Sequence, residues 1–112
     1  MSDTQLVLPL GPYVETVDQP TATLQEKFER FHAANPWVAL ALEALTRDWL
    51  ATGRQRVGIK MFIEVLRWEH ARRTDGSEFR YNNSFTSRYV RLLIEAHPDW
   101  ADAFETRALR AD

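Results

Sequence analysis

The sequence predicts a mainly α-helical fold, a compact bundle of about five helices with at most a short β element. Three observations lead there. Apolar residues recur at helical spacing in several segments, as in Leu24, Phe28 and Phe31. Helix start and stop residues stand between those segments, notably Thr23 with Glu26, Asn35-Pro36, Gly53, Asn82-Asn83 and His97-Pro98. Alternating strand patterns are almost missing, with Phe79-Arg80-Tyr81 the best short candidate.

Residues 1–22 read as an extended N-terminal arm, and 23–112 as a single helical domain. In the arm Leu6, Val7, Leu8 and Leu10 are apolar, but Pro9, Gly11, Pro12 and Pro20 break regular structure. A loosely ordered tail is the first expectation, and an arm that docks by its apolar patch the second. Thr23-Leu24-Gln25-Glu26 is a capping box that opens a helix running to about Ala34. Pro36 suits the first position of the next helix, whose face would be Val38, Leu42, Leu45 and Trp49, ending near Gly53. Residues 54–58 form a connector with room for one strand residue pair. The third helix, 59–72, carries Ile59, Phe62, Ile63 and Leu66 on one face, with Met61, Val65 and Trp68 further round. A helix so widely apolar is expected at the centre. Thr74-Asp75-Gly76-Ser77 signals a turn. The fourth helix, 84–96, would bury Phe85, Tyr89, Leu92, Leu93 and Ala96 and expose Ser84, Ser87, Arg88, Arg91 and Glu95. A fifth would follow Pro98, with Trp100, Ala103 and Phe104 inward.

Charge is placed unevenly. Nine basic residues lie between Arg54 and Arg91, against Glu64, Glu69, Asp75 and Glu78. That stretch carries +5 in a chain of net charge −2, so the remainder carries −7. A basic middle between acidic ends points to an anionic partner. The fourth helix is the expected working surface. Asn83, Ser87, Arg88 and Arg91 would face DNA bases, since arginine pairs with guanine and asparagine with adenine. Arg54, Arg56, Lys60, Arg72, Arg73 and Arg80 would hold phosphates. The layout is that of a helix-turn-helix or winged helix, with 59–72 supporting and 84–96 reading. The stretch between the two helices is longer than the ~3–4 residues of a simple helix-turn-helix.

Other chemistries find no pattern. His32, His70 and His97 have neither a histidine partner at i+4 nor cysteine neighbours, so no metal site is expected. Packing is expected for His70, a rim position for His32, and solvent or helix capping for His97. Ser84 and Ser87 lack a nucleophile elbow, and no glycine-rich phosphate loop occurs. No cofactor and no enzymatic activity are expected. Phe79, Tyr81 and Trp68 could stack on bases, but aromatics at helical spacing are mostly core. Trp68, at the edge of its apolar arc, is the one suited to anchor a protein partner. No cysteine, no signal-peptide pattern and no membrane-length apolar run make a cytoplasmic protein the expectation.

The segments Arg56-Val57-Gly58-Ile59-Lys60, Glu64-Val65-Leu66-Arg67-Trp68-Glu69, Asn82-Asn83, Arg88-Tyr89-Val90-Arg91-Leu92 and Phe104-Glu105-Thr106-Arg107 occur in that order, with Pro98 before the last. Over residues 28–110 the chain resembles a group of small uncharacterised bacterial and phage proteins. The resemblance implies no activity, but it does imply a gene of a mobile element. Two functions are therefore expected: a regulatory protein on double-stranded DNA, for which a homodimer would match paired half-sites, or a module that binds or inhibits a host protein. The pI of about 5.9 favours the second.

Overall fold

The computed structural model describes residues 7–73 and 79–105. Within them lie four α-helices: α1 Leu24–Ala34, α2 Pro36–Ala51, α3 Ile59–Arg73 and α4 Thr86–Ala96. A 3-10 turn, Asn83–Phe85, leads into α4, and another, Pro98–Trp100, follows it. No helix among the described residues is long and apolar enough to cross a membrane.

Local chemistry sets most boundaries. Thr23 accepts from the Glu26 N–H through its hydroxyl at 3.1 Å, and Glu26 accepts from the Thr23 N–H at 2.8 Å. These bonds satisfy two donors that the first turn of α1 would leave open. Pro36 occupies the first turn of α2. Past its end, Gly53 adopts φ 90° and donates to the Leu50 carbonyl at 3.0 Å, a conformation suited to glycine. Asn82 accepts from the Ser84 N–H at 2.8 Å and so opens the 3-10 turn before α4.

The fifth expected helix is only the short turn Pro98–Trp100. Backbone pairing with the connector diverts the chain there. Val57 donates to the Ala103 carbonyl at 2.9 Å, and Glu105 donates to the Val57 carbonyl at 3.1 Å. This isolated parallel bridge, Val57 to Phe104, is the β element found among the described residues. Trp100, Ala103 and Phe104 are buried by it, inward as expected. Phe79-Arg80-Tyr81 forms no strand. Its rings pack instead against Tyr13, Trp37, His70 and Phe31. The Thr74–Ser77 turn lies outside the described residues.

Two helix faces differ from expectation. On α4, Ser87, Tyr89, Val90 and Leu93 are buried, whereas Leu92 is half-buried and Ala96 exposed. The buried arc is turned by roughly one residue step, ~100°, because α4 packs against both α2 and α3. On α3, Ile59, Phe62, Ile63, Leu66 and His70 are buried, but Met61 and Trp68 look outward. The helix is therefore not covered all round.

The described part of the arm is docked, although it forms neither helix nor strand. Leu8 is buried in the core. Trp37 donates through Nε1 to the Pro12 carbonyl at 3.2 Å. Buried Asn35 accepts from the Val14 N–H at 2.7 Å and donates back to the Val14 carbonyl at 2.9 Å. One side-chain amide thus meets both backbone groups of Val14, as a paired strand would.

Candidate functional site

The structure divides the predicted cationic residues among three places. The first is the connector and the start of α3, where Arg54, Arg56 and Lys60 are exposed. The Arg54 guanidinium lies over the Trp49 ring at 5.2 Å. Among the described residues these three cations carry no ion pair.

The second place is the end of α3 and the residues after it. Glu69 accepts from Arg72 at 2.7 Å and from Arg73 at 3.3 Å. Arg73 also donates to the Leu8 carbonyl at 3.1 Å, and Arg80 pairs with Glu15 at 3.5 Å. Arg73 and Arg80 thus help to hold the arm on the body. Pairs this exposed are worth ~0–1 kcal/mol each, but they occupy guanidiniums that were expected to meet phosphate.

The third place is α4. Asn83 is exposed and accepts from Arg67 at 3.2 Å. Ser87 is 1% exposed, so it does not face a base. Its expected position fails because the arc toward Val90 and Ile94 is the one turned inward. Arg88 is half-buried, and its Nε donates to Gln25 on α1 at 2.9 Å. Arg91 is half-buried beside it. Tyr81 is buried and Phe79 partly so, which removes both from a base-stacking platform.

Trp68 is 63% exposed, the largest outward-facing ring of the described residues. Met61, two turns earlier on the same side of α3, is 43% exposed, with half-buried Val65 between them. The Arg72 guanidinium lies 5.1 Å from the Trp68 ring centre. This contact stiffens both side chains and keeps a charge beside the ring. Around the stripe, α3 carries Lys60, Arg67, Arg72 and Arg73 against Glu64 and Glu69, a net positive balance.

The histidines take three environments. His70 is fully buried, stacked on Trp37 at 5.3 Å, with neither ring nitrogen hydrogen-bonded. His32 is half-buried against Phe28, and burial pushes its pKa below the ordinary value. His97 meets Glu43 of α2 through Nε2 at 2.5 Å and stacks on Trp100 at 3.9 Å. Sequence reading assigned His97 to solvent or capping, and no local signal could have paired it with Glu43. Among the described residues, no group of three or more histidine, aspartate or glutamate side chains is placed to hold a metal ion.

Comparison with protein-family models, curated proteins and solved structures returned no match to this chain.

Proposed function

We propose that this protein is a protein-binding module whose partner seats on the outer face of α3. The observation that carries the reading is the exposure of Trp68 in line with Met61 on α3. Single exposed apolar residues need no explanation, but an outward tryptophan flanked by methionine and arginine has the composition of an interface centre. Covering ~150 Å² of the ring at ~25 cal/mol per Å² gives about 4 kcal/mol before the costs of association. The positive balance of α3 matches a partner with an apolar pocket and an acidic rim. The resemblance to small phage proteins fits an inhibitor or adaptor acting on a host protein.

The test is affinity capture from nuclease-treated lysate of the encoding cell, with wild type and Trp68→Ala side by side. One defined partner, retained by wild type and lost by Trp68→Ala, is the expected result. Equal capture by both would remove α3 from the interface. The substitution should leave stability within ~0.5 kcal/mol, as for other exposed sites.

A specific observation favours DNA binding as a second reading. Arg54, Arg56 and Lys60 are exposed and carry no ion pair among the described residues, and Asn83 and Ser84 are exposed in the turn that leads into α4. In this reading α3 supports and α4 reads, in a helix-turn-helix-like arrangement, with phosphates on the three cations. Fluorescence anisotropy with random duplex DNA decides it. Affinity falling steeply with log salt, and lost on changing Arg54, Arg56 and Lys60 together to alanine, is the outcome it requires.

A further inference from the structure

The body of the protein holds the arm by its backbone. Arg73 NH1 donates to the Leu8 carbonyl at 3.1 Å, and Trp37 Nε1 to the Pro12 carbonyl at 3.2 Å. Asn35 meets the N–H and the carbonyl of Val14 at 2.7 and 2.9 Å. Side chains add fit. Leu8 is buried, and Tyr13 lies edge-on to Phe79 at 5.7 Å. Gly11 runs so close to the Trp37 ring that an added Cβ would stand 2.6 Å from Cδ1. A tryptophan N–H on a prolyl carbonyl, an amide that reads both backbone groups of one residue, and a buried seat for one leucine are the parts of a groove for an extended, proline-containing peptide. Here the peptide is the chain's own arm.

A short hinge joins that peptide to α1. The arm's ion pair with α1, Asp18 to Arg30 at 3.4 Å, lies just before the hinge, and the Thr23 cap lies just after it. The turn between them is closed by the Ala22 N–H, which donates to the Gln19 carbonyl at 2.9 Å. Pro20 fixes its own φ at a value that extended chain also uses, and it biases Gln19 toward extended backbone. Opening the hinge gives up that bond and meets no steric obstacle at Pro20. We propose that the groove takes the arm of a second copy of this chain, so that two chains exchange arms reciprocally. The occupant follows from fit. A second arm has the same residues and meets Arg73, Trp37 and Asn35 by the same bonds, so the hinge is where the exchanged and closed forms differ. The Trp68 side of α3 takes no part, and the proposal stands independently of the protein-binding reading.

The experiment incubates the full chain at ~1 mM, the order of the effective concentration of a closely tethered segment, with warming short of the melting temperature so that arms release. Sedimentation velocity then separates monomer from dimer. A dimer with the helical circular dichroism of the monomer is expected. In a mixture of ¹³C-labelled and unlabelled chains, isotope-filtered spectra of that dimer should show Gly11 of one chain against the Trp37 ring of the other. Absence of a dimer overturns the proposal, as does a dimer whose Gly11–Trp37 contact stays within one chain. Kinetics supply a second signature. Asn35→Ala weakens the same joint in both forms, so it should speed their interconversion at least about tenfold, the effect of losing its bonds to Val14, while moving the dimer fraction little. Should that variant fail to fold, Gly11→Ala loosens the same joint and takes its place. An unchanged rate with a dimer fraction altered severalfold overturns the proposal. Trp68→Ala should retain the dimer in full, and its loss there would assign the association to α3 and overturn arm exchange.

Discussion

Replacing Asn35 by alanine should release the N-terminal arm and destabilise the whole fold. Asn35 is 0% exposed and makes two short bonds to Val14, at 2.7 and 2.9 Å. Its third side-chain bond, to the Phe31 carbonyl at 3.3 Å, is longer, and that carbonyl also receives the Asn35 N–H at 2.8 Å. The two Val14 bonds therefore dominate. At about 1 kcal/mol each, with a small cavity term added, the expected loss is roughly 2–3 kcal/mol. Val14 is 46% exposed, so water can reach its freed backbone groups and the loss should go no higher. For a chain of this size the loss corresponds to a Tm about 10 °C lower. Urea unfolding gives the free energy, and limited proteolysis reports the arm, which should be cut before the helices. Asn35→Asp is the sharper variant. It keeps the acceptor for the Val14 N–H but sets a buried carboxylate against the Val14 and Phe31 carbonyls, so it should be less stable than the alanine form. An alanine variant within about 0.5 kcal/mol of wild type, or an aspartate variant more stable than it, would refute the amide as the arm's anchor.

Other perturbations test the packing. Burial depresses the His32 pKa from the ordinary 6.5, so the unfolded chain takes up the proton first as pH falls. Stability should be fully present above about pH 6.5 and decline below it; His32→Gln should flatten that decline in a series of thermal melts. His70 buries at least one ring N–H without an acceptor, and His70→Leu should raise stability by about 1 kcal/mol. A fall of that size would show that stacking on Trp37 outweighs the unpaired donor. Gly11→Ala would bring a methyl within 2.6 Å of Trp37 Cδ1 in the packed arm, at a cost of about 1–3 kcal/mol. Gly58→Ala meets only the tip of Glu105 at 2.5 Å, an exposed side chain free to swing away. Urea midpoints should therefore separate the two glycine variants clearly.

Features decided within one helical turn were legible in the sequence. The Thr23–Glu26 box, Pro36 at the start of α2 and Gly53 past its end all rest on contacts between near neighbours. The face of α4 was less so, because its apolar residues fit two arcs. Leu92 and Ala96 favoured one and Val90 the other; packing against α2 and α3 buried Val90 and left Leu92 half-buried and Ala96 exposed, while Phe85 in the preceding turn is buried as expected. Part of the expected basic face is taken up by internal contacts for a related reason. Glu15, Gln25 and the Leu8 carbonyl come from far away in the chain to meet Arg80, Arg88 and Arg73. Charge counted along the sequence does not reveal such partners. Trp68 stood at the boundary of its apolar arc, and the sequence left its exposure open; coverage by the other helices stops short of it.

The bridge from Val57 to Phe104 has a consequence for the order of events in folding. The arm meets Asn35 and Trp37 across 21 and 25 residues, so those contacts can close early in synthesis. Arg88 reaches Gln25 across 63 residues, and His97 reaches Glu43 across 54. Val57 spans a shorter stretch, but its partners Ala103 and Glu105 are the last of these residues to be synthesised. A helical chain closed this late pays the loop entropy of a β protein and should fold more slowly than its helix content implies. Until the last of these residues leaves the ribosome, α2 and α3 lack the segment that seals them, and the nascent chain is open to chaperones at that seam.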